Sequence, residues 1–227
     1  MKRSIVFITG TDTGAGKTIL TALLAAFLRE KGANVAALKP ICSGGRGDAL
    51  LLRKALKNAL PLDEINPWHF REPIAPLLAA RRERKKISLA DVVAHARRTS
   101  KKFPIVLVEG AGGLLSPLGE NFDSRDLIKV LGAIPIIVSP NRLGAINQTL
   151  LTLDALPKPL AQRAKIVLNS VDSANAARVG NLKLLGEFVG HNRIHILPHL
   201  TQPNDLEGSL QNENVRRTFR KLAADFV

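Results

Sequence analysis

Residues Ser4 to Thr18 read SIVFITGTDTGAGKT, an apolar run that gives way to glycines and closes on Gly-Lys-Thr. The run predicts a buried strand, and the loop after it suits phosphate. Glycines let the backbone curl so that the N–H groups of Gly14, Ala15 and Gly16 face one point, and a helix opening there aims its positive end at the same anion. Lys17 would reach the terminal phosphates as a positive charge, and the Thr18 hydroxyl would sit on a magnesium ion bridging two phosphate oxygens. Leu20, Leu23, Leu24, Phe27 and Leu28 recur at helical spacing, and Gly32 stands where a helix would stop. The usual loop of this kind places its first glycine where this chain has Thr11; here Gly10 lies one residue earlier. The strand before, the helix after and the intact Gly-Lys-Thr favour a nucleotide over a plain glycine turn with a solvated lysine.

A second chemical element follows from FPIVLVEGAGG, residues 103 to 113. Ile105 to Val108 predict another buried strand, which delivers Glu109 to its carboxyl end. A carboxylate there could hold magnesium directly or through water, and Gly110 and Gly112 let backbone approach phosphate. The plain alternative is a capping glutamate before a glycine turn; the pairing with a phosphate loop is more specific than either member. NVAALKP predicts a short strand stopping at Lys39, a lysine at the edge where open α/β sheets bind ligands or else an ordinary surface lysine. The next stretch, ICSGGRGD, reads as a polar, flexible loop that carries Ser43 and Asp48 into a helix over DALLLRKAL. Cys42 lacks a nearby histidine to activate it and reads as a bystander thiol.

Residues 61 to 76 read as irregular and proline-bearing, with Trp68, His69 and Phe70 as anchors and His69 structural. Ser88 to Asp91 is a capping-box pattern that opens a helix to about Phe103. AIPIIVSP, AKIVLNS and RIHILP predict three further strands, the second ending in Asn169, whose amide could read a nucleobase edge. A helix begins near Gly144, and in the tail Val215, Phe219, Leu222 and Phe226 share one face that should pack on the sheet. Strands alternating with helices imply an α/β fold: one domain over residues 1–227, a mostly parallel sheet covered on both faces, the site along the carboxyl edges of its strands. Lys17, Lys39, Asp48, Glu109 and Asn169 would all lie on that edge.

With 227 residues and 45% hydrophobic content, one sizeable core is expected. No apolar run approaches a membrane span, and the MKR leader running straight into a strand is unlike a signal peptide. A single cysteine excludes an internal disulfide and points to a reducing cytoplasm. The charge of +14 gathers in Arg81, Arg82, Arg84, Lys85 and Lys86 and in Arg97, Arg98, Lys101 and Lys102. With aromatics at 4% and no tyrosine there is little with which to stack bases, so a solvated surface is expected rather than a membrane or specific nucleic-acid partner.

GTDTGAGKT, KPICSG, NPWHFREPIAPLLAA, VEGAGG and the LGAIN helix start occur in an order that resembles the dethiobiotin synthases, ATP-dependent carboxylases of biotin synthesis, over nearly the whole chain. The resemblance implies a phosphate-loop NTPase fold and a homodimer that turns ATP, CO2 and 7,8-diaminononanoate into dethiobiotin, ADP and phosphate with Mg2+. It implies catalytic roles for Lys17 and Lys39 and metal contacts from Thr18, Asp48 and Glu109. Ser43 and Thr13 would touch the substrate, Gly110, Ala111 and Gly112 would line the nucleotide and carbamate region, and Asn169, Pro198, His199 and Leu200 would flank adenine. The Leu143 to Asn147 turn resembles the part that meets the substrate's tail carboxylate from the partner subunit.

The chain departs from the family in a short Ser43 to Asp48 loop, in Asn169-Ser170 where Asn-Asp is common, and in its high charge. The competing class is the partitioning and division-site ATPases, which share this fold, have deviant phosphate loops and bind DNA or membranes. Their loop carries an early lysine, and alignment on Gly-Lys-Thr puts Asp12 there. Amidotransferase-type cobalamin synthases add a glutaminase domain for which this chain has no room.

Overall fold

A computed structural model describes residues 3–170 and 176–226, so that Met1 and Lys2 of the leader lie outside the described residues. The first strand, β1 (Ser4–Gly10), runs through the phosphate loop into α1 (Lys17–Glu30), and β2 (Val35–Leu38) follows. The five apolar positions expected on one face of α1 are at most 2% exposed, each burial contributing about 1.5–3 kcal/mol. Gly32 closes the helix with φ of 79°, a left-handed conformation that any Cβ would strain.

Next come β3 (Ile41–Ser43), α2 (Gly47–Ala55), α3 (Leu62–Ile65), β4 (Trp68–Phe70) and α4 (Pro76–Arg82). Here the structure corrects the sequence reading. Ile41 to Ser43 form a strand rather than loop, pairing in parallel with Trp68 to Phe70 in a small second sheet, while the stretch between Phe70 and Pro76 is irregular as expected. Three-residue strands show no readable alternation, and their pairing is settled by contact across a long sequence separation. The histidine in this segment serves the turn: His69 Nε2 lies 2.6 Å from the Gly44 carbonyl.

Ser88 caps α5 (Leu89–Lys102) by accepting from the Asp91 amide at 3.1 Å, as its spacing predicts. The chain continues through β5 (Ile105–Glu109), α6 (Ser124–Leu131), β6 (Ile134–Pro140), α7 (Ala145–Asp154), α8 (Lys158–Arg163), β7 (Lys165–Asn169), α9 (Ala176–Val189), β8 (Ile194–Leu197), α10 (Leu206–Gln211) and α11 (Glu213–Ala223). The tail face is buried as expected, but part of it meets a helix, with the Phe219 ring centroid 5.8 Å from that of Phe27 in α1.

Among the described residues the main sheet has six strands in the order β2-β5-β1-β6-β7-β8, every pair parallel. Its inner strands are buried on both faces, which is why Ile105 to Val108 form an unbroken apolar run rather than an alternating one. Register builds the site. Ile8 pairs with Glu109, and Leu38 pairs with Val108, so the phosphate loop, Glu109 and Lys39 leave three adjacent strands at nearly one level.

Candidate active site

The carboxyl edges of β2, β5 and β1 open into a cavity of about 1080 Å³. Of the residues singled out in the sequence, Thr13, Gly14, Gly16, Lys17, Thr18, Lys39, Ser43, Asp48, Glu109, Ala111 and Gly112 line it. Ala15 is buried behind the loop, and Gly110 meets the group through its carbonyl. Asn169 lies on the far side of the loop against Ala15. Pro198, His199 and Leu200 follow β8 at the sheet's edge, with β6 and β7 between them and β1.

Lys39 sits at the centre. It is 4% exposed, donates to Glu109 Oε1 at 2.6 Å and to the Gly110 carbonyl at 3.1 Å, and pairs with Asp48 Oδ2 at 3.0 Å. Burial alone would push its ammonium down, but the two carboxylates reverse this and hold it above the ordinary lysine range. Asp48 answers the same balance: burial pushes its carboxyl up, and Lys39 more than offsets that, leaving it below the usual carboxylate range.

Lys17 is placed differently. It donates to the Asp12 carbonyl at 2.9 Å, and burial together with the charge of Lys39 brings it down to about 8. The displaced glycine has a steric reason, since a Cβ on Gly10 would stand 3.1 Å from Lys17 Nζ and 3.2 Å from Ala15 Cβ. Two cations facing one cavity are repelled by each other and attract an anion.

The Thr18 hydroxyl donates to Glu109 Oε1 at 2.8 Å, while Glu109 Oε2 is buried without a hydrogen-bond partner among the described residues. An orphaned oxygen on a carboxylate residue that is 1% exposed calls for a further cation or donor. Thr18, Asp48 and Glu109 offer only hard oxygen atoms. Among the described residues no group of three or more His, Cys, Asp or Glu stands together, and magnesium is commonly held by one or two carboxylates with phosphate and water completing its shell. The residues present therefore fit magnesium.

Ser43 Oγ donates to the Ile74 carbonyl at 2.6 Å, which leaves its lone pairs for a ligand. The Cys42 thiol is buried, and burial pushes it up, away from reactivity. One contributor escaped the sequence reading. Asn66, 1% exposed, donates to the Lys39 carbonyl at 2.8 Å, while its Oδ1 accepts from Arg46 Nε at 3.2 Å. A single amide thus ties the strand end bearing Lys39 to Arg46, just ahead of the helix that bears Asp48. Its only sequence signal was its place ahead of Pro67 in the NPWHF segment.

The first basic cluster, Arg81 to Lys86, is partly neutralised by acidic neighbours. Arg81 forms a two-pronged pair with Glu120 at 2.8 Å, Arg82 pairs with Glu72, and Lys85 pairs with Glu83 at 2.8 Å.

A family model described as an AAA domain matches residues 4–206. The chain is 41% identical over 172 residues to the ATP-dependent dethiobiotin synthetase BioD of Bacillus velezensis, covering 74% of each chain. It is 36% identical over 197 residues to the BioD of Methanocaldococcus jannaschii, covering 80% of this chain and 92% of the relative. The chain belongs to the ATP-dependent dethiobiotin synthetase family. Solved structures share the fold of this chain at low identity. The MinC:MinD cell division complex of Aquifex aeolicus aligns with TM-score 0.65 at 15% identity over 99% of this chain and 97% of that one. A ParA family ATPase from Chlorobium tepidum aligns with TM-score 0.60 at 13% identity, covering 97% and 98%. At such identity the likeness speaks for the fold alone, that of phosphate-loop NTPases.

Proposed function

We propose that this member of the dethiobiotin synthetase family carboxylates 7,8-diaminononanoate and closes the ureido ring of dethiobiotin, converting ATP and CO2 to ADP and phosphate. The observation that carries the reading is the Lys39–Glu109–Asp48 cluster facing the phosphate loop across one cavity. That reading takes residues 1–227 as one catalytic domain.

One amine of the substrate adds to CO2 and loses a proton, giving a carbamate. A carbamate oxygen then attacks the γ-phosphorus of ATP and ADP departs, leaving a carbamic-phosphoric mixed anhydride. The second amine attacks the carbamoyl carbon, phosphate leaves with the bonding pair, and the ring closes as the amine gives up a proton. Negative charge accumulates where carbamate and γ-phosphate meet, which is where Lys17 and Lys39 can act. Both are held in place before the reaction, so their charge stabilises the transition state with little reorganisation. Thr18, Asp48 and Glu109 hold Mg2+, which when bound neutralises phosphate charge. Gly14, Ala15 and Gly16 supply backbone N–H groups to phosphate, and Gly110, Ala111 and Gly112 wall the carbamate region. Ser43 and Thr13 contact the diamine. Pro198, His199 and Leu200 flank the adenine, and Asn169 closes the nucleotide site from the β7 side.

The same reading makes the protein a cytoplasmic homodimer. In such a dimer Leu143, 90% exposed just ahead of α7, would face the partner subunit. Among the described residues no helix is long and apolar enough to cross a membrane.

The test is direct: purified protein is mixed with ATP, Mg2+, bicarbonate and 7,8-diaminononanoate, and the cyclic urea is sought by mass spectrometry alongside ADP. ADP released without the urea would move the protein into the ATPase class.

A further inference from the structure

Asp48 reaches Lys39 from a stretch that has little of its own to hold it. Gly44, Gly45 and Gly47 flank Arg46, and a Cβ built on Gly45 or Gly47 would meet nothing within 4 Å, so packing does not explain either. The Asp48 side chain is 44% exposed, so burial does not fix its aim. Buried Ala49, Leu52 and Ala55 seat α2 as a whole, yet they leave the glycine-flanked entry to its first turn unheld.

Arg46 supplies that hold. Its Nε donates to Asn66 Oδ1 at 3.2 Å and its Nη2 to the Asn66 carbonyl at 3.0 Å, a two-pronged grip on one residue, and Nη2 also donates to Asp63 Oδ1 at 2.8 Å. Asn66 is a firm base: it is 1% exposed, and its Nδ2 donates to the Lys39 carbonyl at 2.8 Å. The contacts close a ring. They run from the Lys39 backbone through Asn66 to Arg46, along Gly47 to Asp48, and back from the Asp48 carboxylate to Lys39 Nζ at 3.0 Å.

We infer that Arg46 is a positioning residue that holds the Asp48 carboxylate at the lysine and metal side of the cavity, acting through Asn66. A guanidinium suits the task because its planar fork donates in two fixed directions, whereas an ammonium offers a single point of charge. Without the grip the glycine-flanked turn regains backbone freedom, and each binding event that uses Asp48 then includes the cost of ordering it. The inference rests on the proposed reading of Asp48 as a magnesium ligand.

ATP affinity is measured by calorimetry with Mg2+ and with EDTA for the full chain and for Arg46→Ala, Arg46→Lys, Asp48→Asn and the Arg46→Ala/Asp48→Asn double variant. In Arg46→Ala the gain in affinity on adding Mg2+ should shrink by about tenfold, the low end of what losing an outer-shell partner costs a metal site. Affinity in EDTA should stay at the parent value. Arg46→Lys should lose as much as Arg46→Ala, because charge without the fork does not rebuild the grip. In the Asp48→Asn background, Arg46→Ala should cost nothing further, since residues that act through one another are not additive. Additive losses, an equal loss in EDTA, full recovery in Arg46→Lys or no loss in Arg46→Ala overturns the inference while leaving Asp48 at the metal. A silent Asp48→Asn brings down the metal reading of Asp48 and, with it, what rests on it. Thermal unfolding of the ligand-free Arg46 variants should give midpoints near the parent's, and a collapsed midpoint assigns the guanidinium to the fold instead.

Discussion

Lys39 Nζ lies 2.6 Å from Glu109 Oε1, joining the ends of β2 and β5 in an ion pair with both partners at most 5% exposed in their side chains. Asp48 completes a second pair at 3.0 Å from the other side of the same ammonium. Such a pair is costly to desolvate and stabilises only while complete, since removing one partner strands the other.

Lys39→Ala should therefore have two separable effects. Turnover falls by about 100-fold or more, as when one preorganised donor to a developing anion is lost. ATP affinity, which the loop and Lys17 supply, stays within a few-fold. Steady-state kinetics paired with equilibrium ATP binding check this, and a large loss of affinity with unchanged turnover would refute the assigned role. Thermal stability falls too, because Glu109 is left buried and unpaired, at a cost of about 3–5 kcal/mol.

Glu109→Gln keeps the size of the side chain and removes its charge. The gain in ATP affinity on adding Mg2+ should shrink by at least about tenfold, the low end of what losing even an outer-shell partner costs a metal site. Titrating ATP with Mg2+ and with EDTA gives the two affinities to compare. An undiminished magnesium effect would remove Glu109 from the metal site.

Lys17 gives the nucleotide affinity a pH signature. Its ammonium is brought down from 10.5 to about 8 in the ligand-free site, and bound phosphate must raise it again. Above pH 8 the free protein has lost a proton that the complex keeps, so binding takes up a proton and affinity declines with rising pH, by up to about tenfold per unit. Calorimetry in buffers of different ionisation enthalpy measures the uptake directly. Lys17→Met should bind weakly and show no such uptake.

The acid limit of stability should involve His195, on β8. It is 7% exposed, its Nε2 has no partner among the described residues, and burial together with Lys165 brings it down to about 4. Its folded value lies below the 6.5 of the free ring, so the unfolded chain binds more protons between those limits. Stability from the neutral ring is present above pH 6.5 and is lost as pH falls toward 4. Denaturant melts at neutral pH and near pH 4.5 should show a smaller acid loss for His195→Leu than for the parent, whatever their difference at neutrality.

How much of this was legible depends on how local each determinant is. The phosphate loop, the caps at Ser88 and Gly32, the buried runs and the placement of Lys39 and Glu109 at strand ends are written in neighbouring residues, because turn glycines, capping side chains and apolar periodicity act within a few positions. The short strand pair of Ile41 to Ser43 with Trp68 to Phe70 was not legible, and neither was Asn66. Each depends on a partner far away in sequence, and no local preference announces it.

The sequence by itself determined a parallel α/β sheet, a phosphate site and the family. Only the tertiary structure decided that Lys39 is neutralised by two carboxylates at once, that Glu109 keeps one oxygen unpaired among the described residues, and that Arg46 is tied to the Lys39 strand end through Asn66. The physical reason is range: propensity and patterning are properties of a segment, whereas charge pairing, desolvation and hydrogen bonding depend on which strand ends the register of the sheet brings side by side.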